Sequence, residues 1–349
     1  MESGIICMDI KELGKDRLIE WLKERGMQAY RAAQIFKWIY LQQADSFEAM
    51  SDLSKEFRTL LSQEFTIDRL EKARVQTSQD GSKKYLFKLT DGNHIESVLI
   101  PEKDHYTLCI STQVGCAQDC RFCMTGAGGF VRNLSSGEII AQVRDIVNEI
   151  RDDDMRLSNL VFMGMGEPLA NYKNLIESLA IINDGDCGLK FSGRRTTVST
   201  AGLVPKISEL GKDSIVNLAI SLNAADNKTR DMLMPINRKY PIETLTDACK
   251  NFPLRTRRRI TFEYILIKDV NDSVKDAKQL IKLLRGIKAK INLIPFNAHE
   301  GSEFKRSDES AIDRFQDILY QSGYTVMIRH SKGQDISAAC GQLRYAART

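Results

Sequence analysis

Apolar residues recur at three- and four-residue steps over residues 17–25, 30–42 and 54–63, with Gly26 and the pair Ser51-Asp52 as breaks. Side chains at such steps share one face of a helix, so the opening of the chain predicts three amphipathic helices. Near residue 70 the period shortens. Segments 74–79, 84–89 and 94–101 are short and partly alternating, and Gln79-Asp80-Gly81 and Asp91-Gly92 place turn residues between them. This pattern predicts a small antiparallel sheet.

From about residue 106 short β-rich runs alternate with longer helical ones. Segments 107–112, 159–164, 196–200, 216–222, 260–266, 291–295 and 325–329 read as strands, with helices over 136–151, 172–183, 241–251, 273–284 and 310–322. Strand-helix alternation of this kind builds an α/β fold with a parallel sheet, either open or curled into a full or partial barrel. The chain therefore divides into a helical unit (1–70), a β-rich extension (71–104) and an α/β core (105–349). In such cores the chemistry lies at the carboxyl ends of the strands.

Composition narrows the class. At 349 residues, 42% hydrophobic and 28% charged, the chain is neither fibrous nor disordered. Residues 1–13 mix acids, lysines and isolated apolar residues, and no stretch is apolar over the roughly 18 residues of a membrane helix, so a cytoplasmic protein with no membrane partner is expected. Eight cysteines are present, and Cys116, Cys120 and Cys123 crowd into one window after the first core strand. Without a leader their thiols stay reduced, and the trio reads as metal-binding. Three ligands are one short of a closed zinc site or an ordinary four-cysteine iron–sulfur site, which leaves one metal position for a substrate. Zinc completed by His105 or Cys109, and a metal-free structural trio, are the alternatives.

Cys116-x-x-x-Cys120-x-Phe122-Cys123 on that loop resembles the signature of the radical S-adenosylmethionine (SAM) superfamily. The resemblance implies a partial (β/α)6 barrel and a [4Fe-4S] cluster whose open iron chelates SAM and whose electron releases a 5′-deoxyadenosyl radical. Gly164-Met165-Gly166-Glu167-Pro168, at the end of the second strand, is similar to the superfamily's Gly-Gly-Glu element. Gly166, Glu167, Ser199, Ser221, Leu222, Asn223 and Asn297, all near strand ends, are then the expected SAM contacts.

Tyr30-Arg31-Ala32-Ala33-Gln34-Ile35, Gln113-Val114-Gly115-Cys116, Phe162 to Leu169, Met234-Pro235-Ile236-Asn237 and Asp335 to Leu343 together resemble the RlmN family of dual-specificity RNA adenine-C2 methyltransferases. Asn223 departs from that family's more usual histidine. The resemblance implies that Cys340 accepts a methyl from one SAM before a second SAM supplies the radical, that Cys109 resolves the resulting protein–RNA adduct through a transient disulfide, and that Glu96 is the general base. It also implies 23S ribosomal RNA and transfer RNA as substrates, an electron donor such as flavodoxin, a monomer, and an accessory RNA-binding role for the helical unit. A related antibiotic-resistance family that methylates adenine C8 shares the cluster and both extra cysteines.

The net charge of +4 is a weak pointer to nucleic acid. Basic residues are clustered, however, at Arg255, Arg257, Arg258 and Arg259, at Arg194-Arg195 and at Lys83-Lys84. These are expected to meet phosphates and make binding salt-dependent. A zinc-stabilised RNA-binding protein without turnover is the reading from another class.

Overall fold

The computed structural model describes residues 7–298 and 301–344; the start of the segment read as lacking a leader lies outside them. Three helices open the chain, α1 (Lys15–Glu24), α2 (Tyr30–Phe36) and α3 (Lys55–Glu64). Leu18 and Leu22, Ala32 and Ile35, and Phe57 and Leu61 are the buried pairs that the three- and four-residue steps predicted. After Phe36 the second helix continues over Lys37–Leu41 with a wider π-type turn.

Ten strands form one sheet. The first three are antiparallel: β1 (Glu71–Thr77), β2 (Lys83–Lys88) and β3 (His94–Pro101). Seven parallel strands follow, β4 (His105–Cys109), β5 (Arg156–Phe162), β6 (Thr196–Thr200), β7 (Asn217–Ser221), β8 (Ile260–Leu266), β9 (Ala289–Pro295) and β10 (Thr325–Ile328), each beside the next. The crossovers between them run through α4 (Ser136–Glu149), α5 (Tyr172–Asn183), α6 (Val204–Asp213), α7 (Asn227–Leu233), α8 (Ile242–Lys250), α9 (Val274–Leu283) and α10 (Glu309–Gln321). All seven expected core strands are present, and α6 and α7 are further helices in the intervals between them.

The antiparallel segment is not a separate sheet. Its third strand pairs with β4, Val98 opposite Cys109 and Ile100 opposite Thr107, and so continues the core sheet. Residues Ile95 to Ile100 are all buried, as expected of a strand covered on both faces. Along the parallel strands one alternate set, with Leu160, Val198, Leu218, Phe262 and Leu293, is buried apolar surface. The other set, with Thr107, Asn159, Thr197, Asn217, Thr261, Glu263 and Asn292, lines a polar lumen.

The helical unit is held to the core by a buried arginine. Arg144, on α4 and fully buried, donates to Ile39 O (3.1 Å), Ala44 O (2.5 Å) and Asp45 Oδ1 (2.8 Å). A guanidinium presents several donors in a rigid fork, so one side chain can satisfy several acceptors of the docked unit. The α4 helix itself starts in a capping box, with Ser135 Oγ accepting from Glu138 N and Glu138 Oε2 accepting from Ser135 N.

Candidate active site at the carboxyl ends of the strands

The cysteine loop leaves a short strand, Gln113–Gly115, and returns through the helical turn Met124–Ala127 to Phe130–Asn133, which pairs antiparallel with the outgoing strand. Cys116 N donates to Gly129 O (2.8 Å) and Cys123 N to Cys120 O (3.0 Å), so the three thiols sit on one tight excursion. They line one cleft together with Gly166, Glu167, Ser199, Ser221, Asn223 and Cys340. Sequence positions more than two hundred residues apart thus meet at one mouth.

All eight cysteines are free thiols, and among the described residues no three side chains converge as ligands of a single ion. Burial pushes the Cys116 thiol up to about 12 and Cys120 well above its ordinary value, with the neighbouring thiols adding to both shifts. Three soft sulfurs on one loop, with no fourth cysteine among them, fit an iron–sulfur cluster with one iron left open, and binding would release the thiol protons.

Close backbone approach shapes the opposite wall. Gly166 has φ +99°, and a Cβ there would lie 2.5 Å from Gln113 Cβ. A Cβ on Gly164 would lie 2.7 Å from Ile110 O. Gln113 is itself committed, accepting from Glu167 N (2.8 Å) and donating to Asn133 (2.7 Å). The Glu167 carboxylate accepts from Leu169 N (3.0 Å) and Ala201 N (2.7 Å), tying the ends of β5 and β6 together. Burial raises its pKa, opposed by those hydrogen bonds.

Of the other expected SAM contacts, Ser199, Ser221 and Asn223 line the cleft, whereas Leu222 and Asn297 do not. Ser199 and Ser221 face each other, Oγ to Oγ 3.4 Å. Asn223 has φ +58°, a left-handed conformation that asparagine tolerates, and its Oδ1 accepts from Ile265 N (3.0 Å). Its side chain therefore braces β8. Leu222 is fully buried and contributes backbone: its N donates to Glu263 O and its O accepts from Arg230 Nε. Asn297 donates to Cys340 O (3.3 Å).

Sequence reading missed Arg230. It is fully buried on α7 and donates to Leu222 O (3.0 Å), Ala201 O (2.6 Å), Ser221 O (3.3 Å) and Asn237 Oδ1 (3.0 Å). One side chain thus fixes the ends of β6 and β7. Burial lowers its pKa to about 10, which leaves it charged at neutral pH. No pattern in the α7 sequence separates it from a solvent-facing helical arginine.

Cys340 lies on a strap, residues 333–343, that crosses from the antiparallel strands to the cysteine loop. At one end Asp80 accepts from Gly333 N (2.8 Å), Asp335 accepts from Ser78 (2.5 Å), and Lys84 donates to Ser337 O (3.3 Å). At the other, Gly341 O accepts from Met124 N (2.8 Å) and Leu343 O from Thr125 (2.5 Å). Buried Cys109 and the Arg329 guanidinium lie close enough to Cys340 to interact with it electrostatically. Burial pushes Cys109 up to about 12, and the adjacent Cys340 sulfur adds to this. Cys340 is also raised by burial, with Arg329 opposing the shift.

Glu96 and Lys84 depart from the surface roles that their local sequence suggests. Glu96 is 6% exposed; its Oε1 lies 3.1 Å from Lys84 Nζ and its Oε2 accepts from Arg344 N (3.0 Å). The lysine expected to meet phosphate is instead a buried ion-pair partner. The remaining basic cluster keeps its exposure. Arg194-Arg195 and Arg255, Arg257 and Arg259 sit before the amino ends of β6 and β8, at the opposite end of the barrel from the cysteines. Arg258 donates to Ile215 O and Arg259 to Thr325 Oγ1, neutral oxygens that leave the charge uncompensated.

This fold and cleft are those of a radical SAM methyltransferase. The radical SAM superfamily model matches residues 110–284, and that of the ribosomal RNA large subunit methyltransferase N-terminal domain matches residues 8–67. A crystal structure of a radical SAM methyltransferase from Sphaerobacter thermophilus superposes with TM-score 0.90 at 43% identity, covering 96% of this chain and 99% of that one. Proteins named dual-specificity RNA methyltransferase RlmN from Desulfosudis oleivorans and Geobacter sulfurreducens are 60% and 53% identical, over 98% and 97% of this chain and 92% of each relative. The chain belongs to the RlmN family of RNA methyltransferases. No helix among the described residues is long and apolar enough to cross a membrane.

Proposed function

We propose that this enzyme methylates C2 of adenosine in 23S ribosomal RNA, at the peptidyl transferase centre, and in transfer RNA, 3′ of the anticodon. It acts in the cytoplasm as a monomer, with electrons from a flavodoxin-type donor. One observation carries the reading: Cys340 shares a single cleft with Cys116, Cys120 and Cys123, while Cys109 is near enough to Cys340 for the two sulfurs to interact.

C2 of adenine lies between two ring nitrogens, is electron-poor, and does not attack a sulfonium methyl. A carbon radical can add there. Cys116, Cys120 and Cys123 would hold a [4Fe-4S] cluster which, with SAM at its open iron, supplies the one-electron chemistry. The backbone at Gly166, Glu167, Leu222 and Asn223 and the side chains of Ser199, Ser221 and Asn297 would orient the cofactor. Cys340 first takes a methyl by nucleophilic displacement, so its sulfur must reach the cleft as a thiolate, which Arg329 favours. Hydrogen removal from that methyl lets the carbon join C2, leaving Cys340 bonded to the base. The adduct would return one electron to the group held by the three cysteines and give its C2 proton to Glu96. The Cys109 thiolate then attacks the Cys340 sulfur, forming a transient disulfide, and the expelled carbon takes up a proton to become the C2 methyl. The base must leave its stack to reach the site, as for other enzymes acting on nucleobases.

The test is digestion of RNA treated with the reconstituted enzyme, followed by mass spectrometry of the nucleosides. The expected product is 2-methyladenosine. 8-Methyladenosine alone would assign the other regiochemistry, and an unmodified digest with a zinc-loaded, colourless protein would remove the radical mechanism.

A further inference from the structure

Two buried acceptor oxygens in the barrel have no hydrogen-bond partner, Glu263 Oε1 on β8 and Asn292 Oδ1 on β9. Burial raises the Glu263 pKa, although the Ser199 hydroxyl and the Asn292 amide approach its carboxylate closely enough to oppose that rise. Glu263 is 7% exposed. The two residues are register partners on adjacent parallel strands, and Ser221 is the register partner of Glu263 on the other side. Adjacent strands are about 4.8 Å apart, so the two oxygens face one small volume. Glu263 lines both the cysteine cleft and the polar lumen below it, and Asn292 lines the lumen. Arg329 Nη1 approaches Glu263 Oε1 to 3.7 Å, an ion pair too long for a hydrogen bond.

A buried acceptor without a donor is costly, and two side by side, one of them charged, call for a ligand carrying two N–H groups on one atom. The exocyclic amine of adenine is such a group. A carbonyl in that position, as in guanine or hypoxanthine, would meet the carboxylate oxygen head-on. Arg329, beside the pair, offers a donor to a ring nitrogen adjoining the amine.

Glu263 lies mid-strand, one inward position below Ile265, level with Ser221 and within reach of the Ser199 hydroxyl. The lumen it shares is also lined by Arg194, Arg195 and Lys290. Glu263 also lies close enough to Cys109 and Cys340 for its charge to raise both thiols.

We propose that Glu263 and Asn292 are specificity-determining residues that receive the exocyclic amine of the target adenine. The proposal rests on adenosine being the substrate. Its test uses the reconstituted full-length enzyme and three stem-loop RNAs that differ only at the target, which is adenosine, inosine or purine riboside. Affinity is read by fluorescence anisotropy and methyl transfer as kcat/KM.

The wild type is expected to prefer adenosine over inosine by at least about 100-fold, because a site built around a donor rejects its absence strongly. In Glu263→Gln the new amide can donate to a carbonyl, so the preference should fall below about 10-fold through a gain toward inosine as well as a loss of adenosine. Asn292→Leu should weaken adenosine and leave purine riboside unchanged. A merely structural role would lower all three RNAs together. An unchanged adenosine-to-inosine ratio in Glu263→Gln overturns the proposal, as does a roughly tenfold loss of SAM affinity with base preference intact, which would give the carboxylate to the cofactor's ribose. Failure of the wild type to methylate adenosine at C2 would instead overturn the proposed function.

Discussion

Gly166→Ala is the sharpest probe of the cofactor rim. Its Cβ would lie 2.5 Å from Gln113 Cβ and 2.8 Å from Gln113 N, so Gln113 must retreat by about 1 Å to reach ordinary contact. The backbone at φ +99° adds strain of about 1–3 kcal/mol for any residue with a Cβ, and overpacking adds a similar amount. A combined loss of about 3–4 kcal/mol follows. With unfolding entropy near 2.1 cal/mol/K per residue over 349 residues, the expected fall in Tm is about 4–6 °C. Because Gln113 accepts from Glu167 N at 2.8 Å, the displacement is passed to the Glu167 backbone that faces the cleft. SAM affinity, read by equilibrium dialysis on the anaerobic holoenzyme, should drop at least about tenfold, or about 1.4 kcal/mol. A Tm within 1 °C of wild type (on the order of 1 kcal/mol) together with unchanged SAM affinity would refute the account of this wall.

Other outcomes follow from the strap and the thiols. Cys109→Ala should accumulate a covalent protein–RNA species on denaturing gels, and Cys340→Ala should form none; normal methylation by Cys109→Ala would remove that residue from the mechanism. Lys84→Met leaves Glu96 buried without its cation, which costs about 3–5 kcal/mol, and should speed hydrogen exchange across residues 333–343; unchanged exchange would separate Lys84 from the strap. Burial raises the Asp80 pKa, but hydrogen bonds from Gly333 and Ser82 outweigh it and hold the carboxyl at about 2. Its stabilisation is therefore complete above the unfolded value near 4 and disappears as pH falls through about 2. The Tm difference between wild type and Asp80→Asn should stay constant above about pH 5 and shrink in acid; a difference that grows in acid would contradict the sign.

Periodicity and spacing expose some parts of this molecule and hide others. The core strands were legible because runs such as Ile260 to Leu266 are short, β-rich and bounded by turns, and the cysteine trio because three thiols in one window are rare. The junction of β3 with β4 was not legible. Ile95 to Ile100 is buried on both faces, so alternation no longer reports which strand lies alongside. For the same reason Glu96 reads locally as a surface carboxylate and Lys84 as a phosphate contact, though each is the other's buried partner. Arg230 was hidden because its four acceptors come from two strand ends and a loop, which sequence distance does not relate. Glu263 left a usable signal, a lone acid in the apolar run Ile-Thr-Phe-Glu-Tyr-Ile-Leu.

Everything in the proposed chemistry passes through the Cys340 sulfur. The most direct measurement is peptide mass spectrometry of the segment containing Cys340, taken from protein isolated with its cluster and again after RNA, SAM and reductant are added. One extra methyl group on Cys340 before addition, its loss afterwards, and its carbon recovered at C2 of adenosine are the predicted results. An unmodified Cys340 in enzyme that nonetheless methylates RNA would contradict the account.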